Sequence, residues 1–166
     1  MSEAAQATDE RRKKKRPTWV IILVIGLLLL IPMTALLLGI AVPVYRNKII
    51  NSNETSALQT IRSIAVAQEN FLAANGRYGT FDELISVGAL DARLSGNAPV
   101  SNGYVFTMTL ATPDVNQPSV FSINADPQPG EYFSPTGLRH FYFASNVSGI
   151  RVNDERPANA TDRPRT

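Results

Sequence analysis

Residues 11–44 read RRKKKRPTWVIILVIGLLLLIPMTALLLGIAVPV. A basic hexad comes first, and the 26 residues from Trp19 to Val44 carry no charge. As a helix this run is roughly 39 Å long, more than the ~30 Å hydrocarbon core of a bilayer. The pattern predicts a basic tail over residues 1–18 and a transmembrane helix over residues 19–45.

A cleavable secretory signal is the main alternative, because it also has a basic start and an apolar middle. The apolar region of such a signal is typically about 7 to 15 residues long, much shorter than this run. Its one small-x-small sequence near the end is Gly39-Ile40-Ala41, and Pro43 follows closely. With no cysteine in the chain, lipid attachment to an N-terminal cysteine is excluded as well. An uncleaved anchor is the better interpretation.

The basic residues predict the orientation of the anchor, because positive charge near a membrane helix favours the cytoplasmic side. Arg46 and Lys48 on the far flank are outnumbered by the hexad. The residues predicted to determine the topology are the six of the hexad: Arg11, Arg12, Lys13, Lys14, Lys15 and Arg16. We expect a single-pass protein of the inner membrane, with a cytoplasmic N-terminus and a periplasmic or extracellular C-terminal domain.

The net charge of +2 is unevenly distributed. Residues 1–18 carry six basic and three acidic side chains, a net +3, whereas residues 45–166 carry ten basic and eleven acidic, a net −1. The nearly neutral exported part lacks the basic surface that nucleic-acid binding requires. We therefore expect no nucleic-acid partner.

After the uncharged run the apolar residues still recur with the period of an α-helix. One face of a helix over residues 46–75 holds its apolar side chains, interrupted only by Gln68. This predicted packing face comprises Ala57, Leu58, Ile61, Ile64, Ala65, Phe71 and Leu72. We expect kinks at Pro32 and Pro43, because proline removes a backbone donor and crowds the preceding turn.

A second, shorter helix is predicted over residues 81–87. Thr80 followed by Glu83 three positions later is the pattern of a capping box, in which each side chain hydrogen-bonds the other residue's backbone N–H. Asp82 and Glu83 also suit the positive end of a helix dipole. Gly88 follows the predicted end of this helix.

Alternating apolar residues and turn sequences predict three or four antiparallel strands. These lie near residues 103–110, 119–125, 138–144 and 150–152. The fold class is therefore α+β, with a long N-terminal helix packed on a small sheet in an exported domain over residues 46–152. Residues 153–166 have little apolar surface to bury, and their composition predicts a disordered tail.

Several of these segments resemble type IV pilins and type II secretion pseudopilins. Residues 39–46 look like the end of the membrane half of a pilin helix, and residues 53–64, 67–68 and 76–80 like the rest of that helix and the loop after it. Residues 125–127, 139–142 and 148–151 resemble the sheet edge and final hairpin of bacterial pilin-like proteins. The resemblance covers roughly residues 36–152 and implies a pilin-like fold.

The membrane stretch departs from that family. Pilin precursors have a glycine where the prepilin peptidase cuts, then a phenylalanine, and soon afterwards a glutamate. Counting back from Pro43 places the cut before Ile22 and the glutamate at or beside Gly26, and none of the three stands there. The family's glutamate neutralises the ammonium that cleavage creates, and an uncut chain has no use for an acid that costs ~2.5–3.5 kcal/mol in the bilayer. The departure therefore predicts a permanent anchor.

Together these features imply a membrane-anchored, pilin-like protein. Its non-catalytic exported domain is expected to act through protein contacts in a pilus, secretion or envelope assembly, with the lipid bilayer and proteins of that assembly as partners. An assembling minor pilin or pseudopilin subunit stays open as an alternative. Small residues at Gly26, Ala35, Gly39 and Ala41 could pack membrane helices together in such a subunit.

An envelope enzyme or binding domain is the third interpretation. His140 is the only histidine and cysteine is absent, so the usual zinc ligands and nucleophile pairs are lacking. Asp82 and Glu83 diverge on a helix, and Gly76 and Gly79 are not followed by the Gly-Lys-Ser/Thr of a phosphate loop. We therefore predict no enzymatic activity, no cofactor, no metal and no small-molecule substrate.

Overall fold

A computed structural model describes residues 17–111, 119–131 and 134–165. The helices are α1 (Thr18–Asn75) and α2 (Phe81–Ser86), followed by a 3₁₀ turn at Ala92–Leu94. The strands are β1 (Val100–Ser101), β2 (Tyr104–Ala111), β3 (Val120–Pro127), β4 (His140–Ala144) and β5 (Arg151–Asn153). Residues 1–42 and 43–166 are two compact units, and α1 contributes to both. The predicted α+β layout is confirmed.

The five strands form one antiparallel sheet in chain order. β2 and β3 pair over their whole length, from Tyr104 opposite Pro127 to Ala111 opposite Val120. The predicted boundaries of the four strands and of α2 differ from these by no more than two residues.

Within the described residues the sheet has five strands, so β1 adds to the four strand ranges that were predicted. β1 pairs with β2 through a tight hairpin, in which Asn102 and Gly103 have φ of 49° and 74°. These positive values are typical of the Asn-Gly turns that join antiparallel strands. β1 itself is only two residues long, which is too short to show an alternating pattern.

The packing face of α1 lies in the core of the second unit. Its buried members are Ala57, Leu58, Ile61, Ile64 and Phe71, whereas Ala65 and Leu72 are half-buried. Most of the buried members share one cluster with side chains of β2, β3 and β4, among them Phe106, Ile123 and Phe141. The helix therefore covers the apolar face of the sheet within this unit.

A buried glutamine joins α1 to the loop that follows it. Gln68 is fully buried; its Nε2 donates to the carbonyl oxygen of Gly79 at 2.6 Å, and its Oε1 accepts from the Gly79 backbone N at 2.9 Å. A Cβ atom at Gly79 would lie 2.9 Å from the ring of Phe71. A larger residue at this position would therefore displace the Phe71 ring where the loop crosses the helix.

Helix α2 begins with the reciprocal hydrogen bonds of a capping box. The backbone N of Glu83 donates to Oγ1 of Thr80 at 3.3 Å, and Oε2 of Glu83 accepts from the backbone N of Thr80 at 2.8 Å. Arg77 adds an ion pair to the Glu83 carboxylate at 2.5 Å. Hydrogen bonds from Arg77 are the main reason that the pKa of Glu83 falls from 4.5 to about 2.

Residues 153–165 take a defined course, which corrects the prediction of a disordered tail from residue 153. The backbone N of Val152 donates to the carbonyl oxygen of Arg163 at 3.0 Å, and that of Arg165 donates to Ile150 at 2.8 Å, so this segment pairs with the edge of β5. Ala158 is buried, and its carbonyl oxygen accepts from Asn124 on β3 at 2.8 Å. Composition misses this arrangement because it rests on hydrogen bonds rather than on apolar burial.

We predict that Ile61→Ala lowers the free energy of unfolding by about 2–5 kcal/mol, since it leaves a cavity under the sheet. Urea denaturation of the full chain in detergent, followed by near-ultraviolet circular dichroism, measures the loss. Val66 on the same helix is 62% exposed, and Val66→Ala is the matched control, expected to stay within about 0.5 kcal/mol of wild type. Equal effects of the two variants would contradict the burial of this face.

A pH dependence follows from the low pKa of Glu83. A carboxyl group whose pKa falls on folding stabilises the fold above its unfolded pKa, and this contribution is lost as pH falls toward about 2. Glu83→Gln removes the titration while keeping an acceptor for the cap. The urea midpoint of wild type should therefore exceed that of the variant above about pH 5 and approach it toward about pH 2. A gap that stays constant over this range would refute the assignment.

Candidate functional site

The uncharged part of α1 presents an apolar surface along its length. Side chains such as Ile22, Leu28 and Leu36 are 67%, 69% and 67% exposed. The most apolar 18-residue window of α1 has a mean hydropathy of 3.0, and none of it is buried within the protein. By length and composition α1 is a candidate membrane span.

The two prolines predicted to kink the helix both lie inside α1. The helix continues through Pro32 and Pro43, and Pro43 is the first residue of the second compact unit. Near Pro32, the hydroxyl of Thr34 donates to the carbonyl oxygens of Leu30 and Ile31 at 3.0 and 2.9 Å. The kinks themselves stay a prediction, and the basic hexad at residues 11–16 lies outside the described residues.

A buried carboxylate lies where α1 meets the segment before β4. Glu54 is 3% exposed; its Oε1 accepts from the backbone N atoms of Leu138 and Arg139 at 3.2 and 3.3 Å, and its Oε2 from Nε of Arg139 at 2.7 Å. The hydrogen bond to Glu54 is the main cause that raises the pKa of Arg139 above its ordinary value. Both carboxylate oxygens of Glu54 therefore accept hydrogen bonds from the chain itself. These bonds hold the segment before β4 against α1.

Neighbouring side chains hold the same segment. Asn53 donates to the carbonyl oxygen of Thr136 at 2.7 Å, and the Tyr104 hydroxyl donates to that of Arg139 at 2.9 Å. Burial is the main reason that the pKa of Tyr104 is raised, so this hydroxyl remains a proton donor. A Cβ atom at Gly137 would lie 2.0 Å from the Tyr104 oxygen. The backbone therefore passes directly against the tyrosine.

His140 forms a pair with Asp126 of the neighbouring strand. Its Nδ1 lies 2.6 Å from Oδ1 of Asp126, and the two side chains are 18% and 29% exposed. Within the described ranges, no group of three or more His, Cys, Asp or Glu side chains could hold a metal ion. When the imidazole is protonated, the pair is an ion pair that links β3 and β4.

Sequence reasoning did not single out Glu54 as a buried anchor. A signal was present, because Glu54 precedes Ala57 and Leu58 by three and four positions and so falls on the apolar face. Gln68 carried the same signal, since it interrupted that face. Arg139, the partner of Glu54, is 85 residues away in the chain, and no local pattern connects the two.

No protein-family model, no curated protein and no solved structure matches this chain. The resemblance to pilins therefore stays a prediction from the residues quoted from the sequence.

We predict that Glu54→Gln destabilises the protein by about 2 kcal/mol, because the charge-assisted hydrogen bonds to Arg139 are lost in a buried site. Arg139 is 40% exposed and regains water, which keeps the loss below that of a wholly buried pair. Urea denaturation measures the difference. Glu155 is exposed, and Glu155→Gln is the control, expected within about 0.5 kcal/mol of wild type. A Glu54 variant as stable as the control would show that the pair contributes nothing.

Proposed function

We propose that this protein is a permanent single-pass membrane anchor carrying a pilin-like, non-catalytic exported domain that acts through protein contacts. The observation that carries the proposal is the composition of α1. Its first part is uncharged and exposed, whereas its second part buries one face in a small α+β unit. The first part has the surface expected of a helix surrounded by lipid. The second part has the surface expected of a helix packed in a folded domain.

The orientation rests on the charges on either side of the apolar run. The basic hexad would remain in the cytoplasm, and the domain from Tyr45 onward would be exported across the inner membrane. Such a domain must be stable without disulfides, since the chain has no cysteine. The buried cluster beneath the sheet and the Glu54–Arg139 pair provide that stability.

The pilin-like assignment is supported by the order of elements, a long helix followed by an antiparallel sheet. The permanent anchor is supported by the absence of any acid between Trp19 and Val44. Filament entry in the pilin family uses the cut site and the glutamate that this stretch lacks. A domain that stays anchored in the membrane therefore accounts both for the resemblance to pilins and for the missing cut site and glutamate.

The absence of cysteine allows a direct test of orientation. We predict that Glu155→Cys reacts with a membrane-impermeant maleimide in intact spheroplasts, whereas Ser2→Cys reacts only after permeabilisation. The cysteine-free wild type is the background control. Labelling of Ser2→Cys in intact spheroplasts, with protection of Glu155→Cys, would overturn the orientation.

Intact mass of the membrane-extracted protein tests whether the anchor is permanent. The proposal expects a chain that retains its basic hexad and resists extraction by alkaline carbonate. A mature start after residue 20 would contradict it. Recovery of the protein in sheared extracellular filaments would favour the minor pilin or pseudopilin alternative instead.

A further inference from the structure

A groove opens on the second unit between α1 and the end of β4. Its volume is about 510 Å³, within the range of about 300–1,000 Å³ that is usual for binding pockets. The floor is apolar and the rim carries two arginines. The floor residues are Ile61, Ala65, Phe143 and Ile150, and the rim residues are Arg62 and Arg165.

Neither rim arginine has an acidic partner within the described part of the chain. Most other arginines of this unit are paired with carboxylates at 4 Å or less: Arg77, Arg93, Arg139, Arg156 and Arg163. Arg62 and Arg165 are exposed, and none of the residues lining the groove is acidic. The groove therefore has an excess of positive charge, although the ten basic and eleven acidic side chains of residues 45–166 nearly balance.

Both guanidinium groups are carried by ordered backbone. Arg62 lies on α1, and the backbone N of Arg165 donates to the carbonyl oxygen of Ile150 at 2.8 Å. A guanidinium presents a planar array of donors that matches a carboxylate. An occupant that satisfies the groove thus needs aliphatic side chains for the floor and carboxylates for the rim.

We propose that this groove binds a segment of a partner protein in which aliphatic side chains are flanked by aspartate or glutamate. Charge complementarity at Arg62 and Arg165 selects the acidic residues, and the apolar floor selects the aliphatic ones. This inference rests on the proposed function, a domain that acts through protein contacts, and it names the chemistry of the partner.

The test uses the full chain in nanodiscs of phosphatidylcholine, so that detergent does not fill the groove. The probe is a fluorescein-labelled synthetic peptide of alternating leucine pairs and glutamates, and its binding is measured by fluorescence anisotropy. We expect the double variant Arg62→Gln/Arg165→Gln to weaken binding by about three- to tenfold, as two exposed charge pairs would. Binding to wild type should also weaken as salt screens the charges.

Two variants serve as controls. Arg62→Lys/Arg165→Lys keeps the charge but lacks the planar donor array, so its affinity should lie between that of wild type and that of Arg62→Gln/Arg165→Gln. Arg93 is an exposed arginine outside the groove, and Arg93→Gln should bind the peptide as wild type does. Circular dichroism of each variant verifies that its fold is unchanged.

Three outcomes would overturn the inference. One is equal binding of the acidic peptide by wild type and Arg62→Gln/Arg165→Gln. Another is equal binding of a peptide in which glutamine replaces every glutamate. The third is binding of phosphatidylglycerol vesicles by wild type, in preference to the peptide and dependent on Arg62 and Arg165, since the occupant would then be an anionic membrane.

Failure of this inference is distinguishable from failure of the proposed function. Peptide binding in nanodiscs does not depend on which side of the membrane the domain occupies, whereas the maleimide labelling does. A domain that is exported and anchored but indifferent to the acidic peptide would refute the groove alone.

Discussion

The two parts of α1 differ in their surfaces, and the packing of the rest of the protein depends on this difference. From Trp19 to Val44 the helix has no charge and exposes apolar side chains, which makes this part a candidate membrane span. From Ile50 to Phe71 one face is buried, and the alternating strands β2 to β4 present the apolar surface that covers it. At about 25 cal/mol per Å² of apolar area removed from water, this burial is the main source of stability for the unit.

Polar groups within that buried face give the fold its specificity. Glu54 and Gln68 interrupt an apolar surface, and an unsatisfied polar group there would cost about 1–3 kcal/mol. Each is instead bonded to a segment outside the helix, Glu54 to Arg139 and Gln68 to Gly79. These bonds form only when the segments cross α1 at one place, so the irregular parts of the chain are positioned as well as the regular ones.

Local periodicity explains which features could be predicted from the sequence. The packing face around Ile61 and the cap at Thr80 depend on neighbours three or four positions apart. The strands are recognised by the alternation of apolar and polar residues. The Glu54–Arg139 pair and the groove between Arg62 and Arg165 join distant parts of the chain. Their residues carry no local signal of one another, because only the tertiary fold brings them together. β1 was missed for a different reason, since two residues cannot show a period.

The pairing of residues 163–165 with β5 affects how this edge of the sheet can interact with other protein molecules. An open strand edge offers unpaired N–H and C=O groups to any other chain, and this is a common route to aggregation. Here the backbone of Arg163 and Arg165 occupies that edge. Because the occupant is covalently attached, its effective concentration is far higher than that of a competing molecule. The protein thus shields the β5 edge of its sheet from neighbouring copies.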